Sequence, residues 1–258
     1  MRVRAELVQV GKARFVWVAF AACALALAFL FYQYTMNESA GVLDAALLDP
    51  ANLTSLFLML SATILAPIVA TLLGSYLGAK DFGFGTAGMV VVWSGRLRAL
   101  CGRLSAMVVA CAAFVTMVLA LGFGLGSVHG QRWHAVSGLT TLAQAGSVLV
   151  AMVGMGLMAL AVGALCRSVA VGNIACLVFL LGQQVLPAAA QRLLGHVTPS
   201  YLIRPLVERV FGNLRALTYV QMPTSGNLLV PSLVWFIGVA AASLTALVLL
   251  ARFREVQA

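Results

Sequence analysis

The chain has 258 residues, of which 62% are hydrophobic and only 9% charged, against about 25% charged in a soluble domain. That composition excludes an ordinary soluble globular protein and leaves room for six crossings of a bilayer at roughly 20 apolar residues each. The formal charge of +9 would point to nucleic acid in a soluble protein. Here the basic residues lie in short segments between apolar runs, where orientation in the membrane accounts for them, so no nucleic-acid partner is expected.

In chain order, residues 1–14 place Val3, Leu7 and Val10 at i, i+4 and i+7 with the charged residues mostly on other faces, the pattern of a short helix lying on the membrane surface. The first apolar run, 15–34, is about as long as a crossing requires, and no small-x-small cleavage pattern follows it at once; it is expected to be a retained helix rather than a signal peptide. The next segment holds Glu38, Asp44 and Asp49 and no basic residue. A second run, 53–77, contains Ser61, Thr63, Thr71, Ser75 and Pro67, and the proline is expected to bend it.

Segment 78–103 combines charge, four glycines before Met89 and an apolar stretch, 89–93, too short to span; a loop carrying a short helix fits that pattern. Runs 104–125, 142–165, 169–190 and 228–251 follow. Between the last two, 191–227 mixes large apolar residues with arginines, and Pro205 can open a helix there, so an interfacial or re-entrant element is expected. The fold class is therefore an all-α integral membrane protein: one transmembrane domain, six transmembrane helices and an N-terminal interfacial helix.

Orientation follows from Lys and Arg. Eleven of the sixteen precede span 1, lie between spans 2 and 3 or 4 and 5, or follow span 6; five lie in the remaining loops. Both termini are expected in the cytoplasm of a cell-membrane protein. The interior of every proposed span lacks Asp, Glu, Lys, Arg and His, which disfavours an ion-coupled carrier or proton pump. Cys23, Cys101, Cys111, Cys166 and Cys176 show no CxxC spacing, so neither a disulfide framework nor a metal site is expected. No GxxxxGK[ST], HExxH or GxSxG pattern occurs, which leaves no catalytic residues to nominate. Polar residues inside spans serve helix-to-helix hydrogen bonding in the first instance. Gln183 and Gln184, adjacent amides that point in different directions near the outer end of span 5, are the candidates for a substrate pathway. Gly74/Gly78, Gly122/Gly126 and Ala159/Gly163 have the four-residue spacing that lets helices approach closely.

The stretch Lys80-Asp81-Phe82-Gly83-Phe84-Gly85-Thr86, followed by Ser94-Gly95-Arg96 and a basic-led third span, and the turn Leu165-Cys166-Arg167-Ser168 together resemble the membrane subunits of type-2 ABC exporters. The resemblance implies that 78–103 is a cytoplasmic coupling segment touching an ATPase, with Asp81, Thr86 and Arg96 as coupling residues. Asp81 stands where that family more often has Glu. It further implies a permease that is not itself an enzyme. Two copies of a separate ATPase would bind ATP and magnesium, a second permease chain, identical or related, would complete the complex, and the cargo would be a hydrophobic or amphipathic drug, peptide antibiotic or lipid. A non-transport scaffold that uses 78–103 to recruit a soluble partner, and an ion-coupled secondary carrier, are the competing readings.

Overall fold

A computed structural model describes residues 2–39, 50–83, 96–128, 138–179 and 229–253. Among them the regular structure is entirely helical, in eight helices: α1 (Arg2–Lys12), α2 (Arg14–Ser39), α3 (Pro50–Leu60), α4 (Ala66–Gly83), α5 (Arg96–Val128), α6 (Gly138–Cys166), α7 (Val169–Phe179) and α8 (Leu229–Phe253). A π-helical turn, Ser61–Leu65, joins α3 to α4 without a break. Three helical stretches, Arg14–Ser39, Leu97–Val128 and Thr140–Cys166, are long and apolar enough to cross a membrane, and Val169–Phe179 and Phe236–Leu250 are shorter apolar helices. The chain has the make-up of a helical membrane protein.

The π-turn has a local cause. Pro67 has no N–H to return to the Thr63 carbonyl, and its ring crowds that carbonyl in a regular helix. Immediately before it the Ala66 N–H donates to the Ser61 carbonyl, five residues back, which widens the turn and keeps the run helical. Where a bend is expected at Pro67, the structure has one π-turn inside a run that extends from Pro50 to Gly83.

Close packing centres on α4 and α6. A Cβ on Gly74 would lie 2.8 Å from the Ala159 Cβ, one on Gly78 would lie 2.9 Å from the Ala164 backbone nitrogen, and one on Gly163 would lie 2.7 Å from the Ser75 carbonyl oxygen. Gly74 therefore faces Ala159, Gly78 faces Leu160 and Ala164, and Gly163 faces Ser75, so that backbone meets backbone where side chains would otherwise hold the helices apart. Gly122 brings α5 equally close to α3, since a Cβ there would lie 2.7 Å from the Thr54 Cα. Phe57, Leu73, Leu77, Met107, Phe114 and Met152 fill the space between these helices. α2 is peripheral: only Val16, Cys23 and Leu27 are buried, while Trp17, Leu25, Phe29 and Tyr32 are exposed. An outer surface of that kind suits acyl chains better than water.

Candidate functional site

The C-terminal end of α4 carries three consecutive side chains that hold three other parts of the bundle. Successive helical residues point about 100° apart, so Lys80, Asp81 and Phe82 face different neighbours. Lys80, 3% exposed, donates to the Glu6 carboxylate and the Gln9 side-chain oxygen of α1. Asp81, 6% exposed, accepts from the Arg103 guanidinium of α5. The Arg167 guanidinium lies over the Phe82 ring, 5.5 Å from its centroid, in the turn between α6 and α7. Charges this well removed from water persist only when paired, and each buried charge here has an opposite partner. Lys80 also sits in the last turn of its helix, where a cation complements the carbonyl ends.

α1 reaches Lys80 because of how its faces are used. Glu6 and Val10 are buried and Leu7 packs on the core, so α1 lays this face against α5. The sequence assigned the Val3, Leu7, Val10 face to the membrane surface; in the structure Leu7 and Val10 are covered by protein. The physical reason is that Glu6 lies beside Val10 on the helical wheel and needs a cation, which the end of α4 supplies. The corner into α2 is tight: the Ala13 N–H donates to the Gln9 carbonyl at 3.1 Å, and the Trp17 Nε1–H donates to the Gly11 carbonyl at 2.7 Å.

The Arg167 turn is similarly constrained. Arg167 has φ 54°, the left-handed conformation that usually takes glycine after a helix C-terminus. Ser168 then begins α7: its carbonyl accepts the Gly172 N–H at 3.0 Å and its hydroxyl the Val171 N–H at 3.4 Å, an N-cap arrangement. The non-glycine side chain at this left-handed position spans the gap to Phe82.

Of the residues singled out in the sequence, Asp81 is in this cluster. Arg96 opens α5, but its side chain lies outside the described residues, as do Thr86, Gln183, Gln184 and all of 191–227. α4 continues to Gly83 and α5 begins at Arg96, so helix extends into both ends of the 78–103 segment; its apolar stretch 89–93 lies outside the described residues.

Sequence reasoning did not single out Glu6, Lys80 or Arg103 as site residues, although Glu6 had a signal as the only acid before Glu38. It also passed over Gln144, which is fully buried and accepts a 2.7 Å hydrogen bond from the Ser55 hydroxyl across α3 and α6. An amide just inside an otherwise apolar run was the available sign. Thr71 bonds within its own helix, to the Ile68 carbonyl at 2.8 Å. Ser61 Oγ and Asn173 Oδ1 are buried without a hydrogen-bond partner among the described residues. Ser55 and Gln144 make an interhelical hydrogen bond of the kind expected of polar span residues.

Among the described residues no group of three or more His, Cys, Asp or Glu could hold a metal ion. Lys80 with Glu6 and Asp81 with Arg103 neutralise each other in pairs, and with the Arg167 contact they tie α1, α5 and the α6–α7 turn to the end of α4. No family model matches the chain, and neither a curated protein nor a solved structure matches it.

Proposed function

We propose that this chain is the permease subunit of an ATP-driven type-2 ABC exporter in the cell membrane. It crosses the bilayer six times with both termini in the cytoplasm and pairs with a second permease chain. It engages two copies of a separate ATPase, which bind ATP and magnesium and carry out the hydrolysis. The observation that carries this reading is the knot at the end of α4, where Lys80, Asp81 and Phe82 engage α1, α5 and the α6–α7 turn directly before the segment expected to meet the ATPase. Force applied to 84–95 would reach α4 through Gly83 and α5 through Arg96, and the ion pairs and the Arg167 contact would spread it to the remaining helices.

On this reading Asp81 is a positioning residue, which fixes the start of the coupling segment to α5 through Arg103. Thr86 and Arg96 meet the ATPase, with Arg96 available for a carboxylate. ATP-driven closure of the partners acts by preferring one of two arrangements of the permease pair, and the coupling segment must differ in its contacts between them. The cargo is hydrophobic or amphipathic, in keeping with spans that lack fixed charge at membrane depth, and Gln183 and Gln184 supply polar contacts along its route.

The test is Arg96→Glu in the tagged chain, purified in mild detergent. The ATPase should no longer accompany the protein, while membrane insertion and the melting temperature stay unchanged. Undiminished recovery of the ATPase with Arg96→Glu contradicts the docking role.

A further inference from the structure

α1 has an outer face as well as an inner one. Arg4, Val8 and Lys12 recur every four residues and so share one side of the helix. All three are exposed, opposite the buried Glu6 and Val10. Arg14, also exposed, opens α2 directly below, and one turn further on Trp17 and Val18 are 61% and 66% exposed. Read down the corner, a tier of cations sits above a tier of aromatic and aliphatic side chains. Tryptophan favours the boundary between headgroups and acyl chains, and the Trp17 bond to the Gly11 carbonyl holds the two tiers in register.

Charge decides what suits this surface. Glu6 and Asp81, the two described acids at this end of the bundle, are both buried in ion pairs, and the other described acid, Glu38, lies at the far end of α2. Among the described residues the outer face of α1 is therefore cationic without compensation, because its one acid has been turned inward to Lys80. A zwitterionic headgroup would set its own ammonium against these cations, whereas an anionic one such as phosphatidylglycerol presents its phosphate without an ammonium.

We infer that the outer face of α1 and the α1–α2 corner, through Arg4, Lys12 and Arg14, bind the phosphate of an anionic phospholipid headgroup whose acyl chains lie along Trp17 and Val18. This inference requires only that the chain is embedded in a membrane and does not depend on an ATPase partner. The geometry explains why α1 is both basic and anchored: the inner ion pair fixes the helix at a set height, and the outer charges select the lipid beside it. The association is electrostatic, so at low salt the three cations together give a several-fold preference for the anionic headgroup.

The experiment uses the full chain with Trp93, Trp133 and Trp235 replaced by Phe, so that Trp17 is the remaining indole, reconstituted in vesicles of phosphatidylcholine and phosphatidylglycerol. Quenching of Trp17 by brominated phosphatidylglycerol is compared with quenching by brominated phosphatidylcholine at equal mole fraction. A several-fold preference for the anionic lipid is expected, falling to near equality in Arg4→Gln/Lys12→Gln/Arg14→Gln and, without any further substitution, at about 1 M sodium chloride, where the screening length is only a few ångströms. Equal quenching by both lipids in the starting chain overturns the inference, as does a preference that survives the triple substitution. Loss of the preference in phosphate buffer but not in chloride at the same ionic strength would identify a free-anion site instead and also overturn it.

Discussion

Replacing Lys80 with Met keeps the length and apolar stem of the side chain and removes only its charge. Glu6 would then be a carboxylate 7% exposed at its side chain with its counter-ion gone. Leaving one member of a buried pair unmatched costs about 3–5 kcal/mol. The bundle has a cheaper response than global unfolding, because α1 is an 11-residue helix held by one face and can lift away to return Glu6 to water. The cost should therefore appear as local opening. At about 1.4 kcal/mol per factor of ten, amide exchange across α1 should accelerate by roughly two to three and a half orders of magnitude.

The assay is hydrogen–deuterium exchange of the full chain in detergent micelles, read on peptides covering α1, α5 and α6. In Lys80→Met, α1 should lose its protection while the interior of α5 and α6 keeps theirs. In Glu6→Gln/Lys80→Met no buried charge is stranded, so protection of α1 should return to within about tenfold of the unsubstituted chain, since replacing both members of a buried pair is often near neutral. Exchange of α1 unchanged by Lys80→Met would refute the buried-pair account. A double variant that exchanges as fast as the single one would show that packing, and not the uncompensated carboxylate, controls the docking of α1.

Three further outcomes follow from particular contacts. Gly78→Val should lower the melting temperature in detergent by the equivalent of about 2–3 kcal/mol of overpacking, because the added carbons meet the α6 backbone; Gly238→Ala, with nothing within 4 Å of the added carbon, should be neutral or stabilising by up to about 1 kcal/mol. Arg167→Gly should melt higher than Arg167→Ala by about 1 kcal/mol, since both lose the Phe82 contact and only glycine relieves the positive φ; equal melting would show that the left-handed backbone at this turn carries no cost. With all native cysteines replaced, a cysteine at Thr86 should resist impermeant maleimides in intact cells and react after permeabilisation, whereas labelling from outside would reverse the proposed orientation.

The apolar runs were legible because hydropathy is local, and helices cover each run within the described residues. Helix also continues beyond some of these runs. Residues 78–83 and 96–103 carry charges and glycines that mark a loop when taken alone, but in the structure they are helical, with Lys80, Asp81 and Arg103 neutralised by partners 74 and 22 positions away along the chain. No local pattern records such pairing. The small-residue spacing was a better guide, since Gly74, Gly78, Ala159 and Gly163 all lie where α4 and α6 approach closely. Periodicity correctly marked Leu7 and Val10 as one apolar face of α1 but could not say whether lipid or protein would cover it; Glu6, at the edge of that face, was the residue that decided. Pro67 signalled an irregularity without specifying a π-turn, because the choice between a kink and a widened turn depends on how neighbouring helices confine the run.

The central claim, that the knot at the end of α4 serves a coupling segment for an ATPase, is tested most directly by recovering the tagged chain from its native membranes in mild detergent. The chains that accompany it are identified by mass spectrometry, and ATP hydrolysis by the complex is measured. The account predicts a stoichiometric partner carrying a phosphate-binding loop, and a complex that hydrolyses ATP. A stable complex with no nucleotide-binding chain and no ATP hydrolysis would contradict it.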